Sequence, residues 1–406
     1  KQVTFDAEFS GDVFDGAVRW KVGNATLFER LDNIQYTSTH PTRDPIRRKF
    51  KQNTAAAITS AELAWDFLED FTLTVGGRWN YETKDFRIKE LIFRGLGDGV
   101  DRERQKTWQA PTGAVALTYH LTDTTSLFSK YSRGFKAGHF NSNNGRELFD
   151  PGPATPEHID SFEWGFSSSW FDQRISSRGS FFFYKYRNYQ VFIFAEEPGA
   201  VSPPSLVIRN AKEVQQFGAE VDLTLKPLLE WVPDEYDDLE FVVRFGWLDS
   251  EFLEFTNVVP RPDGNFEFLL AVDYRGASLI NSPEFKVSGS IQWPFDLSEW
   301  GTITPRYDVE WSDDIYFDPS EGRGSLDATG NAIQPKFAVG QPERIIHNIS
   351  LSYRTPVGNV EVRGWVRNIM DTRYKTFAFD ASFFAGQVIN FVADPRKAGA
   401  DITVTW

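Results

Sequence analysis

Residues 399–406 read Gly-Ala-Asp-Ile-Thr-Val-Thr-Trp, alternating without a break to an aromatic end. Successive side chains of an extended strand point to opposite sides, so Ala400, Ile402, Val404 and Trp406 share one face and Asp401, Thr403 and Thr405 the other. The same two-residue period recurs along the chain. Leu73, Val75, Gly77, Trp79 and Tyr81 alternate with Thr74, Arg78, Asn80 and Glu82; Ile303, Tyr307, Val309 and Trp311 alternate with Thr304, Arg306, Asp308 and Glu310. One face is apolar and aromatic, and the other carries charge. A soluble sandwich turns the apolar face inward, whereas a membrane barrel turns it to lipid and the polar face to a wet lumen. Periodicity alone does not choose between them. The rows of Arg and Glu on the polar face favour the lumen.

Composition supports that choice. The chain has 406 residues, no Cys, one Met, 5 His and a net charge of -14, with 37 Phe, 13 Tyr and 13 Trp. Its mean hydropathy of -0.40 argues against helical spans, which need about 20 consecutive apolar residues. A barrel shows lipid only every second residue, so its average hydropathy looks soluble. The acidic balance argues against a nucleic-acid partner, which needs clustered Lys and Arg; the run Arg47-Arg48-Lys49 reads as a solvated turn. Zero Cys excludes disulfides and thiolate metal sites. Lys1 opens inside a strand-like pattern with no signal peptide, so a processed or truncated chain is expected.

Short and long connections alternate. Tight turns are expected at 66–70, 121–123, 171–173 and 355–358, and long polar stretches near 91–105, 138–158, 255–282, 315–342 and 372–386. Between them lie about 16 strand-like segments, from 3–9 to 399–406 and including 386–393. Aromatics at Phe181 to Tyr186, and at Trp65 with Phe67, suggest interfacial girdles. The expected fold is all-β: one transmembrane antiparallel barrel domain over residues 1–406, with no linker dividing it.

Specific motifs then narrow the reading. Residues 131–141, Tyr-Ser-Arg-Gly-Phe-Lys-Ala-Gly-His-Phe-Asn, resemble a strand-to-loop segment of TonB-dependent outer-membrane receptors. Tyr131, Gly134, Phe135, Gly138 and Asn141 carry that likeness. Asn368, Asp371 and Tyr374 resemble the family's penultimate-hairpin motif; Pro395, Arg396, Gly399 and Trp406 resemble its closing segment. Between them Pro156-Glu157 with Glu163 and Gly165, Tyr184 to Gln190, Asn210 with Gly218 to Glu220, and Asn281 to Glu284 follow in family order, so the likeness covers about 131–406. Each motif also has a plain structural reading: glycines relieve crowding at strand bends, and Asn and Asp bond their own backbone in turns.

The resemblance implies more than this chain supplies. Family members have a barrel of about 22 strands, a plug domain and a short TonB box. Neither plug nor TonB box is expected here, and the chain is read as strands 7 to 22, a C-terminal barrel portion. The resemblance implies a bacterial outer-membrane receptor importing a scarce solute, foremost a ferric siderophore. Its partners would be outer-membrane lipid, the TonB-ExbB-ExbD complex through the absent region, the barrel-assembly machinery at the last strand, and a small-molecule ligand. A passive porin of about 16 strands also fits the strand count, and a soluble, adhesin-like β-structure is a third reading.

Nothing points to catalysis or to a cofactor. No nucleophile elbow, P-loop, zinc-protease helix or dinucleotide fingerprint is present. The His at 40, 120, 139, 158 and 347 are too scattered for a zinc site; His347 falls on the apolar face. Asp313-Asp314 and Glu196-Glu197 read as hydrated loop acids. Loop aromatics and cations form the candidate ligand surface: His139, Arg146, Tyr316, Phe317, Arg323, Phe379, Phe383 and Phe384. Aromatic faces with Arg suit an anionic chelate, although loop packing is the commoner use of such residues.

Overall fold

The computed structural model describes the chain except for residues 38–45, 93–100, 143–152, 196–204, 261–268, 322–330, 332–333 and 381–386. Strands are numbered in chain order. The first five are β1 (Gln2–Val13), β2 (Val18–Thr37), β3 (Ile46–Leu68), β4 (Phe71–Ile92) and β5 (Asp101–Thr122). Then come β6 (Thr125–Lys136), β7 (Glu157–Trp170), β8 (Ile175–Ala195), β9 (Ser205–Leu225) and β10 (Glu240–Glu254). A hairpin, β11 (Thr256–Pro260) with β12 (Leu269–Asp273), precedes β13 (Phe285–Gln292), β14 (Phe295–Asp296) and β15 (Thr302–Ser312). The remainder are β16 (Ile315–Tyr316), β17 (Gly340–Gln341), β18 (Arg344–Arg354), β19 (Val360–Arg367), β20 (Lys375–Asp380), β21 (Val388–Val392) and β22 (Lys397–Val404).

One sixteen-stranded antiparallel sheet runs β1 to β10, then β13, β15, β18, β19 and β22. Its remaining member, β14, continues β13 past Pro294 in the same register against β15, so fifteen spans make the wall among the described residues. Segment 386–393 is not one of them. It forms β21, which pairs with β20 in a separate hairpin. Small hairpins β11–β12 and β16–β17 likewise stand off the wall.

The turns follow from backbone chirality. Phe14 to Ala17 and Phe171 to Arg174 each close a 3.1 Å hydrogen bond, with both central residues at positive φ: Asp15 (55°) and Gly16 (87°), Asp172 (54°) and Gln173 (69°). That twist matches the flanking strands, which is why Gly and Asp occupy such turns. Leu68 to Phe71 and Thr122 to Thr125 are as short.

Alternation decides the faces. Phe5 and Phe9 lie 64% and 69% exposed on the face of β1 that β2 continues with Val22 and Phe28. Bare hydrophobics over a whole face need an apolar surrounding. The opposite face carries Asp6, Glu8, Ser10 and Asp12 on β1 and Arg78, Asn80 and Glu82 on β4. Near the short turns, Trp65, Phe67, Phe71 and Tyr119 form a chain of ring contacts at 5.6, 5.9 and 4.5 Å, an aromatic girdle. Phe181 to Tyr186 is instead interior to β8 and split between the two faces.

Several strands outrun a membrane. At about 3.3 Å per residue, β4 and β5, with 22 residues each, are far longer than the roughly 10 residues a span needs. Arg48 and Lys49 lie inside β3, and residues 101–105 begin β5, where a turn and a loop were expected. Above the apolar belt the wall simply continues as charged strand, with Arg87 paired to Asp101 at 2.8 Å.

Candidate functional site

The long-loop end of the polar face holds three apolar clusters, each made by a loop segment folding onto the wall. The first joins Phe50, Phe86, Ile88 and Trp108 to Ala137 and Phe140, which follow β6. Phe140 stacks on Phe86 at 5.2 Å and tilts against Trp108 at 6.1 Å. At its centre is Lys84, only 3% exposed. The Lys84 ammonium lies 2.8 Å from Glu82 Oε1, donates to Gly138 O at 2.8 Å, and sits 3.2 Å from His139 Nδ1. It also lies 5.5 Å over the Trp108 ring. A buried ammonium must be paired, and here the loop carbonyl completes the pairing.

The motif residues explain how the segment stays down. A Cβ on Gly138 would meet Ala154 O at 2.2 Å and Trp108 at 2.6 Å, so only glycine lets the chain approach so closely. Asn141 accepts from the Ile208 N–H at 2.8 Å and donates to Ile208 O at 3.2 Å, imitating a strand neighbour. Gln190 donates to Ala137 O and Thr155 O; Asn210 donates to Thr155 O and Asn188 O. Tyr131 donates to Asp160 at 2.8 Å, and Phe135 packs beside His158 with ring centres 5.4 Å apart. A Cβ on Gly134 would lie 2.6 Å from Ile159. Gly138, Asn141, Gln190 and Asn210 thus clamp the loop to the wall, whereas Tyr131, Gly134 and Phe135 join β6 to β7 within it.

The second cluster packs Phe255, Leu279, Tyr274 and Ala277 onto Val191, Val214 and Phe252. Asn188, at φ 55°, lets both Tyr186 and Tyr189 reach it. Burial, with Asp318 nearby, raises the pKa of Tyr274 well above its ordinary value. The third cluster joins Phe317, Val339 and Ala378. Lys375 ties it together by donating to Phe337 O at 2.6 Å and Ala338 O at 3.1 Å, and burial lowers its pKa.

The candidate ligand residues separate accordingly. Tyr316 and Phe379 share the third region: Tyr316 stacks on Phe337 at 6.0 Å, and Phe379 lies 6.1 Å from Phe377 and 6.3 Å from Phe391. Phe317 is there too but only 4% exposed, a core residue of the two joined loops. His139 belongs to the first cluster, against Lys84. Arg146, Arg323, Phe383 and Phe384 lie outside the described residues. Sequence reading passed over Phe377 and Phe391, the exposed rings of the β20–β21 hairpin; their signal was alternation with Phe379 in a segment rich in Phe.

At the closing hairpin, Asn368 and Asp371, both near φ 50°, form a turn; Arg396 donates its N–H to Asp371 at 2.9 Å and its guanidinium to Ile369 O at 3.1 Å. Tyr374 carries the Arg344 guanidinium 4.9 Å over its ring. Pro395 leads the chain into β22, and Trp406 stands fully exposed.

The His139 environment gives a pH test. Burial first, then Lys84 and Lys136, depress its pKa from 6.5 to about 4, with Glu82 opposing them. The docked state therefore binds the proton more weakly than the undocked one. Docking is fully supported above about pH 6.5 and weakens as pH falls towards 4. Amide exchange at residues 137–141 should quicken across that window, and His139→Gln should flatten the dependence. An unchanged profile in that variant would refute the assignment.

A tall antiparallel wall with an apolar outer belt, short turns at one end and loops folded onto its polar face at the other is the wall of an outer-membrane β-barrel. The chain belongs to the TonB-dependent receptor family: the model for "TonB dependent receptor-like, beta-barrel" matches residues 1–369. Barrels of this family lie in the outer membrane of Gram-negative bacteria, and so does this one. Among solved structures it is similar to the ferric yersiniabactin uptake receptor FyuA from Yersinia pestis, at 16% identity and TM-score 0.75, covering 99% of this chain and 54% of that one. The siderophore receptor PiuA from Acinetobacter baumannii matches at 16% identity and TM-score 0.65, over 99% and 56%. The ferric-catecholate import receptor Fiu from E. coli K12 matches at 15% and TM-score 0.67, over 99% and 54%. At such identities the likeness establishes the fold. The chain spans about half the length of these proteins.

Proposed function

We propose that this chain is the C-terminal wall of an energy-coupled receptor that imports a ferric siderophore. The observation that carries the reading is the direction of the two edge strands. β1 ends in the short turn at Phe14, and β22 returns from the long-loop side, so both run the same way. Two such strands cannot close an antiparallel barrel on each other, and an open edge in lipid costs several kcal/mol per unpaired group. Closure takes an odd number of further strands, about seven for a barrel of about 22. That argues against a self-contained porin and shifts the chain's first strand from the seventh to the eighth. A lumen that wide needs a plug, and displacing a plug needs work delivered through TonB with ExbB and ExbD.

The proposed ligand surface is the ring cluster of the third loop region, with Phe377 and Phe391 exposed and Tyr316 and Phe379 half-buried; Arg146, Arg323, Phe383 and Phe384, outside the described residues, are proposed as ligand contacts by residue type alone. Aromatic faces and guanidinium groups favour an anionic chelate, and the siderophore receptors among the structural neighbours support iron as its cargo. Uptake of radio-iron chelates by the full-length receptor, expressed in an iron-starved receptor-null strain, tests this. Uptake should exceed the null strain by at least about tenfold and fall to background when TonB is deleted. Uptake that persists without TonB would replace this reading with a passive channel.

A further inference from the structure

We propose that the lipid-facing side of β13, β15, β18 and β19 carries a binding groove for one phospholipid acyl chain. The groove measures about 540 Å³ and is almost wholly apolar. Register places its lining in two rows across the wall. Trp293, Pro305, Leu351 and Gly364 form the row nearer the short turns, and Tyr307 and Ile349 lie in the row above. These residues continue the exposed apolar face, so the groove opens into the hydrocarbon belt. Outward glycines also occur on other strands, Gly77 opposite Gly113 among them, but here the glycine lies in a row with Trp293, Pro305 and Leu351. Gly364 offers no side chain, and no heavy atom lies within 4 Å of where its Cβ would stand. Pro305, flat and directly opposite Leu351, keeps the floor low.

The upper rim also bears on the occupant. Tyr307 lies 2.6 Å from His347 Nδ1, hydroxyl to imidazole, so the two polar side chains on this stretch of lipid-facing wall satisfy each other. Protein partners in membranes are held by close packing and polar contacts. This groove offers no unpaired polar group for such a contact. A flexible hydrocarbon chain asks only for van der Waals surface, and a depression in the wall gives it more of that surface than a flat wall does. The position near the short turns assigns the chain to the periplasmic leaflet, with Trp293 at its interfacial end; the Trp293 indole is already anchored to Tyr236 O at 3.0 Å.

The test is native mass spectrometry of the full-length receptor, purified in mild detergent and supplied with phosphatidylethanolamine. The unmodified barrel should retain a single lipid. Gly364→Leu fills the floor and should lower retention at least about tenfold. Gly77→Leu, a change at another open lipid-facing glycine on β4, should leave it intact. Heat-modifiable migration reports folding; should Gly364→Leu fail to fold, Val366→Phe narrows the same groove from the upper row. Equal retention by the groove variants and the unmodified barrel overturns the proposal. So does a dimer that the groove variants abolish, which would make the occupant a second copy of the chain.

Discussion

Replacing Lys84 with methionine is expected to release the 137–141 segment from the wall while leaving the barrel folded. Lys84 lies with its side chain 4% exposed beside Glu82 at 26%. Removing one member of a fully buried pair costs about 3–5 kcal/mol, because the other charge is stranded. Glu82 keeps some contact with water, which lowers that figure, whereas Gly138 O loses its donor, which adds about 1 kcal/mol. Methionine retains the aliphatic packing over Trp108. A net loss of about 2–4 kcal/mol, roughly 30- to 1000-fold in the opening equilibrium, follows for the docked segment. The loss is local, since the lipid-spanning ladders of β4 and β5 do not depend on this pair. Hydrogen exchange should show faster amides at 137–141 and unchanged protection at residues 72–80. Unaltered exchange at 137–141 would mean the apolar contacts of Phe140 hold the segment alone. Global loss of protection would mean the pair supports the barrel itself.

This cluster shows where sequence reading stops. The two-residue period was legible because lipid and water impose it residue by residue. The short turns at 66–70, 121–123, 171–173 and 355–358 were legible because Asp, Pro and Gly favour turns, positive φ being needed only at 171–173 and Gly358. The terminal strand and the motif order added the family. Partnership was not legible. Val388, Asn390 and Val392 alternate as a barrel strand does, yet their partner is β20, because a period of two specifies faces and not neighbours. The charged stretch 101–105 reads as loop only if a strand must stop at the membrane surface; β4 and β5 continue beyond it with their ladder intact. Loop aromatics were equally ambiguous. Phe317 and Phe379 look alike in sequence, but Phe317 is sealed between two loops while Phe379 lies partly exposed in a small hairpin. Asn141, Gln190 and Asn210 were legible only as motif residues; that Gln190 and Asn210 bond Ala137 and Thr155, on either side of one long loop, and that Asn141 bonds Ile208 of β9, required the fold.

The closing hairpin carries the second large effect. Asn368→Ala should destabilise the join between β19 and β22 by about 3 kcal/mol. Asn368 is 6% exposed and sits at φ 51°. Its Oδ1 accepts from the Thr372 N–H at 2.8 Å, and its Nδ2 donates to Thr372 O at 2.9 Å. Alanine loses these two bonds, each worth about 1 kcal/mol, together with a longer one from Nδ2 to Asp394 O at 3.4 Å, and leaves the Thr372 N–H without this acceptor. It must also hold the left-handed conformation, at about 1 kcal/mol more. Glycine loses the same bonds without the conformational cost, so Asn368→Gly should recover about 1 kcal/mol. Aspartate keeps the acceptor but turns a carboxylate oxygen towards Thr372 O in a buried position, so it too should fall below the unmodified barrel. The turn matters beyond its own residues because Asp371 fixes the Arg396 N–H just before β22 begins. Misplacing it by one residue would turn every side chain of β22 to the wrong face. Urea titration of the folded barrel in lipid vesicles, followed by heat-modifiable migration, should place all three variants below the unmodified barrel, with Gly above Ala. Equal stability of the Gly and Ala variants would remove the conformational cost, and three variants indistinguishable from the unmodified barrel would show that β22 finds its register without this turn.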